Sequence, residues 1–214
     1  DFWDTPAPAL TRLIRAGASP YHGLRRNPMA DIANRNEVAR VLDVDASGLV
    51  IVKYPDPRLG QICTPLARVD DCVRAVIDRM FELMFGARGV GLAAPQVGLA
   101  VRLFVASPMF DPGDRRAYVN PEIIAFDGVQ DGDEGCLSFP GITCRVKRKR
   151  IVTVRALDRE GNVFEETSED LPARIFQHEI DHLDGRLLID RMGTVAKLAN
   201  RRALRELEED FAAP

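Results

Sequence analysis

Histidine is scarce in this chain of 214 residues, three in all, and the two that stand close together, His178 and His182, carry most of what the sequence says about chemistry. Other absences narrow the field first. No stretch approaches the roughly 18 to 20 apolar residues that a helix needs to cross a bilayer, so no membrane association is expected. Basic residues are not in excess: 29 Lys and Arg face 32 Asp and Glu, for a formal net charge of -3, which leaves no overall field to hold the molecule on DNA. Any RNA contact must be local. Cysteines number four, Cys63, Cys72, Cys136 and Cys144, and without a visible secretory signal reduced thiols are expected rather than a disulfide framework. No internal repeat or low-complexity tract interrupts the chain. With 46% hydrophobic and 29% charged residues there is enough apolar material for one sizeable core.

The first 45 residues stand apart. Thr5 to Ala30 holds no acidic residue, carries Arg12, Arg15, Arg25 and Arg26, and is broken by Pro6, Pro8, Pro20 and Pro28. Residues 1–45 therefore read as an extension of unknown role. An arginine-rich, acid-poor start is one mark of an organellar transit peptide, yet this one has little serine and begins at Asp1, with Met29 as an alternative start. A cytoplasmic location is the expectation, and an organelle the alternative if the extension is a transit peptide.

Beyond it, a strand is expected at Leu49 to Val52. A helix capped by Asp70 or Asp71 follows, with Val73, Val76, Ile77, Met80, Phe81 and Met84 at helical spacing until Gly86. Strands are expected at 99–106 and 116–119. Residues 151–157 and 163–167 flank a turn over Asp158 to Asn162 as a hairpin does. Ser168 or Asp170 as N-cap, Pro172 in the first turn and Gly185 as stop define a helix of 171–184, and a last helix is expected over about 194–211. The order of elements predicts an α+β fold, with antiparallel or mixed sheets around the 171–184 helix. The expected division is a catalytic domain over 46–192 and a C-terminal helix over 193–214.

The sequence His178-Glu-Ile-Asp-His182 sits inside that helix. Two imidazoles at i and i+4 share one helix face and can share a metal ion, while Glu179, about 100° around the axis, reaches water on the metal. A catalytic metal needs a third protein ligand and an open position, usually supplied by His, Glu or Cys from another segment. Cys136 is the candidate. It follows a glycine-rich, acidic turn that begins at Asp131; taken alone, such a cysteine is more often a small core residue. Gly89 to Gln96 form an uncharged loop of small residues, where Gln96 offers an amide that can donate to a developing oxyanion. Without the other motifs, that loop reads as a plain connection.

Gly89 to Gln96, Glu134 to Ser138 and Gln177 to Leu183 together resemble the three signature motifs of peptide deformylases, in the same order and with similar separations; the likeness spans about Val50 to Asp190. The resemblance implies hydrolysis of the N-formyl group from N-formylmethionyl nascent peptides, with release of formate. It implies Cys136, His178 and His182 as ligands of one divalent metal, with water as the fourth ligand. Fe2+ is favoured in the cell by the same comparison, while Zn2+, Ni2+ or Co2+ suit the donor set equally. Glu179 would carry the proton, and Gln96 and the Leu137 N–H would stabilise the oxyanion. Gly91 and Gly135 match positions that align the substrate backbone, and Val90 and Leu171 match the pocket for its first side chain. Arg174 stands where an apolar pocket residue is common in relatives. Asp181 reads as an exposed helix carboxylate, with orientation of a ligand histidine as the other option.

Two rival functions share the motif. A zinc endopeptidase would recruit a downstream ligand, but no histidine follows His182, and Glu206 and Glu208 lie in a charged helix. A non-catalytic module held together by metal would have no use for Glu179 and Gln96. In the last helix Lys197, Arg201 and Arg205 form a basic stripe, and Leu204, Leu207 and Phe211 an apolar one. Related enzymes dock on the ribosome through such a helix; a solvated helix packed on the domain is the plainer alternative.

Overall fold

The computed structural model describes residues 25, 26 and 39–213. Most of the expected extension lies outside the described residues. Within them, Arg25–Arg26 (β1) pairs with residues 125 and 126, and Leu42 is buried in the core beside Leu66.

Helix α1 (Asp71–Gly86) forms as its sequence dictates. The Asp70 carboxylate accepts from the Val73 N–H at 3.1 Å, and the six apolar residues at helical spacing are all buried. Against it lies an antiparallel sheet with strand order β2 (Gly91–Ala93), β3 (Leu103–Ala106), β4 (Arg116–Asp127), β7 (Ile151–Leu157) and β8 (Val163–Glu169). Helix α2 (Asp170–Leu183) packs on the sheet through Ala173, Ile175, Phe176, Ile180 and Leu183, which share a core with Phe104, Tyr118, Val152 and Val154. A separate hairpin of β5 (Gln130–Cys136) and β6 (Phe139–Arg148) covers the other side of α2. Its apolar side packs against α3 (Leu188–Arg191) and Leu204 of the C-terminal region. The fold is α+β, with antiparallel sheets about a helix that carries the histidine motif.

Several expectations are corrected. No strand forms at Leu49 to Val52, because the segment finds no ladder partner; the Val52 N–H goes to the Gln96 carbonyl instead, at 2.9 Å. The strand expected at 99–106 begins only at Leu103, and the one at 116–119 runs on to Asp127. The acidic, glycine-rich turn at Asp131 is strand β5, whose poor intrinsic propensity is overridden by pairing along the whole of β6. Helix α2 is preceded by Glu169 as N-cap, with no side-chain cap bond, so neither Ser168 nor Asp170 caps it. The last helix is two, α4 (Thr194–Ala199) and α5 (Arg201–Ala212). They part at Asn200, whose side chain donates to the Thr143 carbonyl of β6 at 3.1 Å.

Candidate active site

Helix α2 presents His178 and His182 one turn apart, with ring centroids separated by 5.0 Å. Strand β5 delivers Cys136 to the same point. The pairing register shifts between Gly135 and Cys136, and such an irregularity re-aims a side chain at the end of a strand. The ligand atoms of Cys136, His178 and His182 all lie within 4.8 Å of one another, and the Cys136 Sγ to His182 Nε2 distance is 3.3 Å. A tetrahedral ion with one thiolate and two imidazoles has ligand edges of roughly 3.5 Å, so the cluster fits a metal of that class.

Glu179 completes the fit. Its Oε2 is buried and has no hydrogen-bond partner among the described residues. A buried carboxylate oxygen without a donor is costly unless something else supplies a proton or a charge there. The other oxygen lies against the Gly91 backbone, where an added Cβ would stand 2.3 Å from Oε1. At Gly91 the Glu179 carboxylate and the Ile175 side chain occupy the space that a side chain would fill. Burial raises the Glu179 pKa to about 7, reinforced by the Glu134 charge and opposed by His178 and Arg148.

His178 is held from behind. Its Nδ1 is 3.0 Å from Glu134 Oε2, and the Glu134 carboxylate also accepts from Arg148 Nε and Nη2, both at 2.8 Å, and from Arg174 Nη1 at 2.7 Å. Burial works against the Glu134 charge, but the Arg148 and His178 contacts outweigh it and bring the pKa to about 2. Arg148 is itself bonded to Asp181, which also accepts from Arg191 Nε at 2.9 Å. Burial presses downward on the pKa of both motif histidines. In His182 the His178 and Arg148 charges add to the effect, and it falls well below the usual range. In His178 hydrogen bonds to Cys136 and Glu134 prevail, and it rises.

Two sequence expectations change here. Asp181 is 7% exposed, a buried member of the charge network and not a solvated helix carboxylate; it acts on His178 only through Arg148 and Glu134. Arg174, whose direction the sequence left open, points into the β5–β6 hairpin, where it also donates to the Val146 carbonyl at 2.9 Å. Glu134 is the residue that sequence reasoning passed over. The signal was present in Arg148, a charged residue at an inward position of the alternating strand β6.

Gln96 is fully enclosed on a short 3-10 helix over Ala94–Val97. Its Oε1 accepts from the Ala93 N–H at 2.8 Å, which fixes the amide so that Nε2 is the end turned to the cluster, 3.4 Å from Cys136 Sγ and 3.2 Å from Ser138 Oγ. Leu137 follows the cysteine directly. Val90 is half-buried at the edge of the α2 core, and its carbonyl accepts from the Ser107 N–H at 2.9 Å. Leu171 is 51% exposed in the first turn of α2, and a Cβ at Gly135 would meet nothing closer than 3.7 Å. All four cysteines are free thiols.

A family model described as polypeptide deformylase matches residues 49–198. The peptide deformylase of Acidobacterium capsulatum is 46% identical over 160 residues, which is 74% of this chain and 94% of that protein. Peptide deformylase 1B, chloroplastic/mitochondrial, of Arabidopsis thaliana is 42% identical over 180 residues, covering 82% of this chain and 66% of that one. Among solved structures, a plant peptide deformylase superposes with a TM-score of 0.76 at 40% identity, over 80% of this chain and 94% of that chain. The peptide deformylase of Legionella pneumophila does so with a TM-score of 0.71 at 42% identity, over 77% and 98%.

Proposed function

The chain belongs to the polypeptide deformylase family, and on that premise we propose that Cys136, His178 and His182 hold its divalent metal while Glu179 moves the proton. The chain is a metallohydrolase that removes the N-formyl group from the N-terminal formyl-methionine of newly made polypeptides. Neither an endopeptidase nor a non-catalytic metal-stabilised module matches these relatives. The catalytic unit in this proposal is residues 46–192, with 193–214 as an appended helical segment and 1–45 as an extension.

When bound, the ion supplies a Lewis acid and makes hydroxide available near neutral pH. We assign Fe2+ as that ion in the cell, with Zn2+, Ni2+ and Co2+ as metals the same donors accept. Glu179 takes the proton of the attacking water at Oε2 and returns it to the leaving amine nitrogen, so that formate and a free N-terminus separate. The Gln96 Nε2 and the Leu137 N–H donate to the oxygen that becomes negative at the formyl carbon. Gly91 and Gly135 align the substrate backbone, and Val90 and Leu171 line the pocket for its first side chain.

The observation that carries the reading is the unpartnered Glu179 Oε2 beside three converging metal donors. Anaerobic purification, metal analysis and a formate-release assay on formyl-Met peptides test it. Activity lost in air points to iron, and casein cleavage without formate release would overturn the assignment.

Two finer points belong to the same proposal. Lys197 lies on α4 and Arg201 and Arg205 on α5, and we propose that these basic residues meet the ribosome; co-sedimentation unchanged by removing residues 194–214 would dispose of it. The substrate arises wherever translation starts with formyl-methionine, so we place the chain in a bacterial-type cytoplasm or an organelle, which cell fractionation distinguishes. No helix of the described residues is long and apolar enough to cross a membrane.

A further inference from the structure

The segment Val52 to Tyr54, which forms no strand, touches both residues assigned to the oxyanion. The Val52 N–H donates to the Gln96 carbonyl at 2.9 Å, and the Tyr54 N–H to the Ser138 carbonyl at 3.0 Å. Between them, the Lys53 ammonium donates to the Leu137 carbonyl at 2.6 Å. The Tyr54 ring stacks on Phe139 at 4.8 Å, so the segment is fixed from the hairpin side as well. None of these contacts has a part in the mechanism described above.

Their effect falls on the two backbone torsions of Leu137. The Leu137 carbonyl and N–H lie on the two peptide planes that flank its Cα, so holding the carbonyl restricts where the N–H can aim. A charged donor holds a carbonyl about twice as strongly as a neutral one. The Leu137 side chain is seated too, since a Cβ at Gly89 would stand 2.6 Å from its Cδ1. Gln96 and Leu137 come from segments more than 40 residues apart in the chain, and Val52 to Tyr54 is bonded to both.

We propose that Lys53 is a positioning residue: its ammonium on the Leu137 carbonyl keeps the Leu137 N–H and the Gln96 amide converging on one substrate oxygen. The proposal rests on the assignment of Leu137 and Gln96 as oxyanion donors. Preorganised donors act only when aimed at the place where charge develops, and small misplacements are expensive. Lys53 touches neither substrate nor metal in this scheme.

The test uses the full metal-loaded chain in three variants, Lys53→Met, Lys53→Arg and Gln96→Ala, with metal content, kcat and KM on a formyl-Met tripeptide. The carbonyl 13C shift of Leu137 is read by NMR as a measure independent of turnover. Lys53→Met should lower kcat about tenfold or more with KM held within about twofold and metal content unchanged, and should move the Leu137 carbonyl resonance upfield. Lys53→Arg should restore most of both. Gln96→Ala should lower kcat about hundredfold. If Gln96→Ala is impaired while Lys53→Met keeps full kcat, the role of Lys53 is overturned and the donor assignment stands. A shifted Leu137 carbonyl with unchanged kcat reduces Lys53 to a structural anchor and overturns the proposal equally. If Gln96→Ala keeps full kcat, the donor assignment itself falls and takes this proposal with it.

Discussion

His178 Nδ1 stands 3.0 Å from Glu134 Oε2, and through that contact the ring of the histidine is held by a carboxylate 44 residues earlier in the chain. Carboxylates in this position set the tautomer and the ring orientation of a ligand histidine. Glu134 can do so because, against the cost of burial, the Arg148 and His178 contacts keep it ionised.

Removing Glu134 separates two effects. Glu134→Ala should weaken metal binding by about 10- to 100-fold, measured by competition with a chelator. It also takes from Arg174 its carboxylate partner and leaves Arg148 with Asp181 alone, so unfolding in urea should show a loss of about 3 to 5 kcal/mol. Glu134→Gln keeps a hydrogen-bonding side chain of the same size, and its metal affinity should fall between those of the wild type and Glu134→Ala.

Glu179→Gln should leave metal content intact, since the side chain is not among the three metal donors. Turnover of formyl-Met peptides should drop by about 10²- to 10⁴-fold. Near-normal activity would remove Glu179 from its role.

Gly91→Ala tests the close approach of backbone and carboxylate. The new methyl would stand 2.3 Å from Glu179 Oε1, so the carboxylate must move. A displacement of about an ångström costs on the order of 100-fold in kcat. Circular dichroism and metal content should match the wild type, and a variant with full kcat would show that the carboxylate has room to spare.

The thiols should differ sharply in reactivity. Burial pushes Cys63 up to about 12, with the Arg102 charge opposing and Asp184 reinforcing. Because the thiolate is the reactive form and its pKa is raised, the fraction present at pH 8 is about one in ten thousand, growing only as pH approaches 12. Iodoacetamide at pH 8 followed by peptide mass mapping should therefore leave Cys63 unmodified in the native protein and modify it fully in urea. Cys72, half-buried, should label first if the metal protects Cys136.

Much of this was legible from the chain itself, for reasons that differ between elements. Helix α1 and the β7–β8 hairpin carry local signals: an aspartate cap, apolar residues at helical spacing, a polar turn between alternating runs. The convergence of Cys136, His178 and His182 was legible because two of them share one helix turn and the third stands in a recognisable motif. What escaped were features whose partners are remote in sequence. Asp181 reads as a solvated helix residue until Arg148 and Arg191 are brought to it. Strand β5 reads as a turn because Asp131 to Gly135 lacks β-forming side chains, and its conformation is imposed by β6. Lys53 gave no signal at all, since an ammonium on a backbone carbonyl leaves no pattern in the sequence.

The register of the β5–β6 hairpin decides which charges meet behind His178. Arg148 lies on the inward side of β6, while its neighbours Lys147 and Lys149 face outward. A slip of one residue would turn Arg148 to solvent, drive a lysine toward Asp181, and leave Glu134 opposite the wrong neighbour. An uncompensated buried charge of this kind costs several kcal/mol and so opposes the slipped pairing. The charges that hold the His178 ring thus also favour one register of the hairpin, because only the observed pairing brings Arg148 to both Glu134 and Asp181.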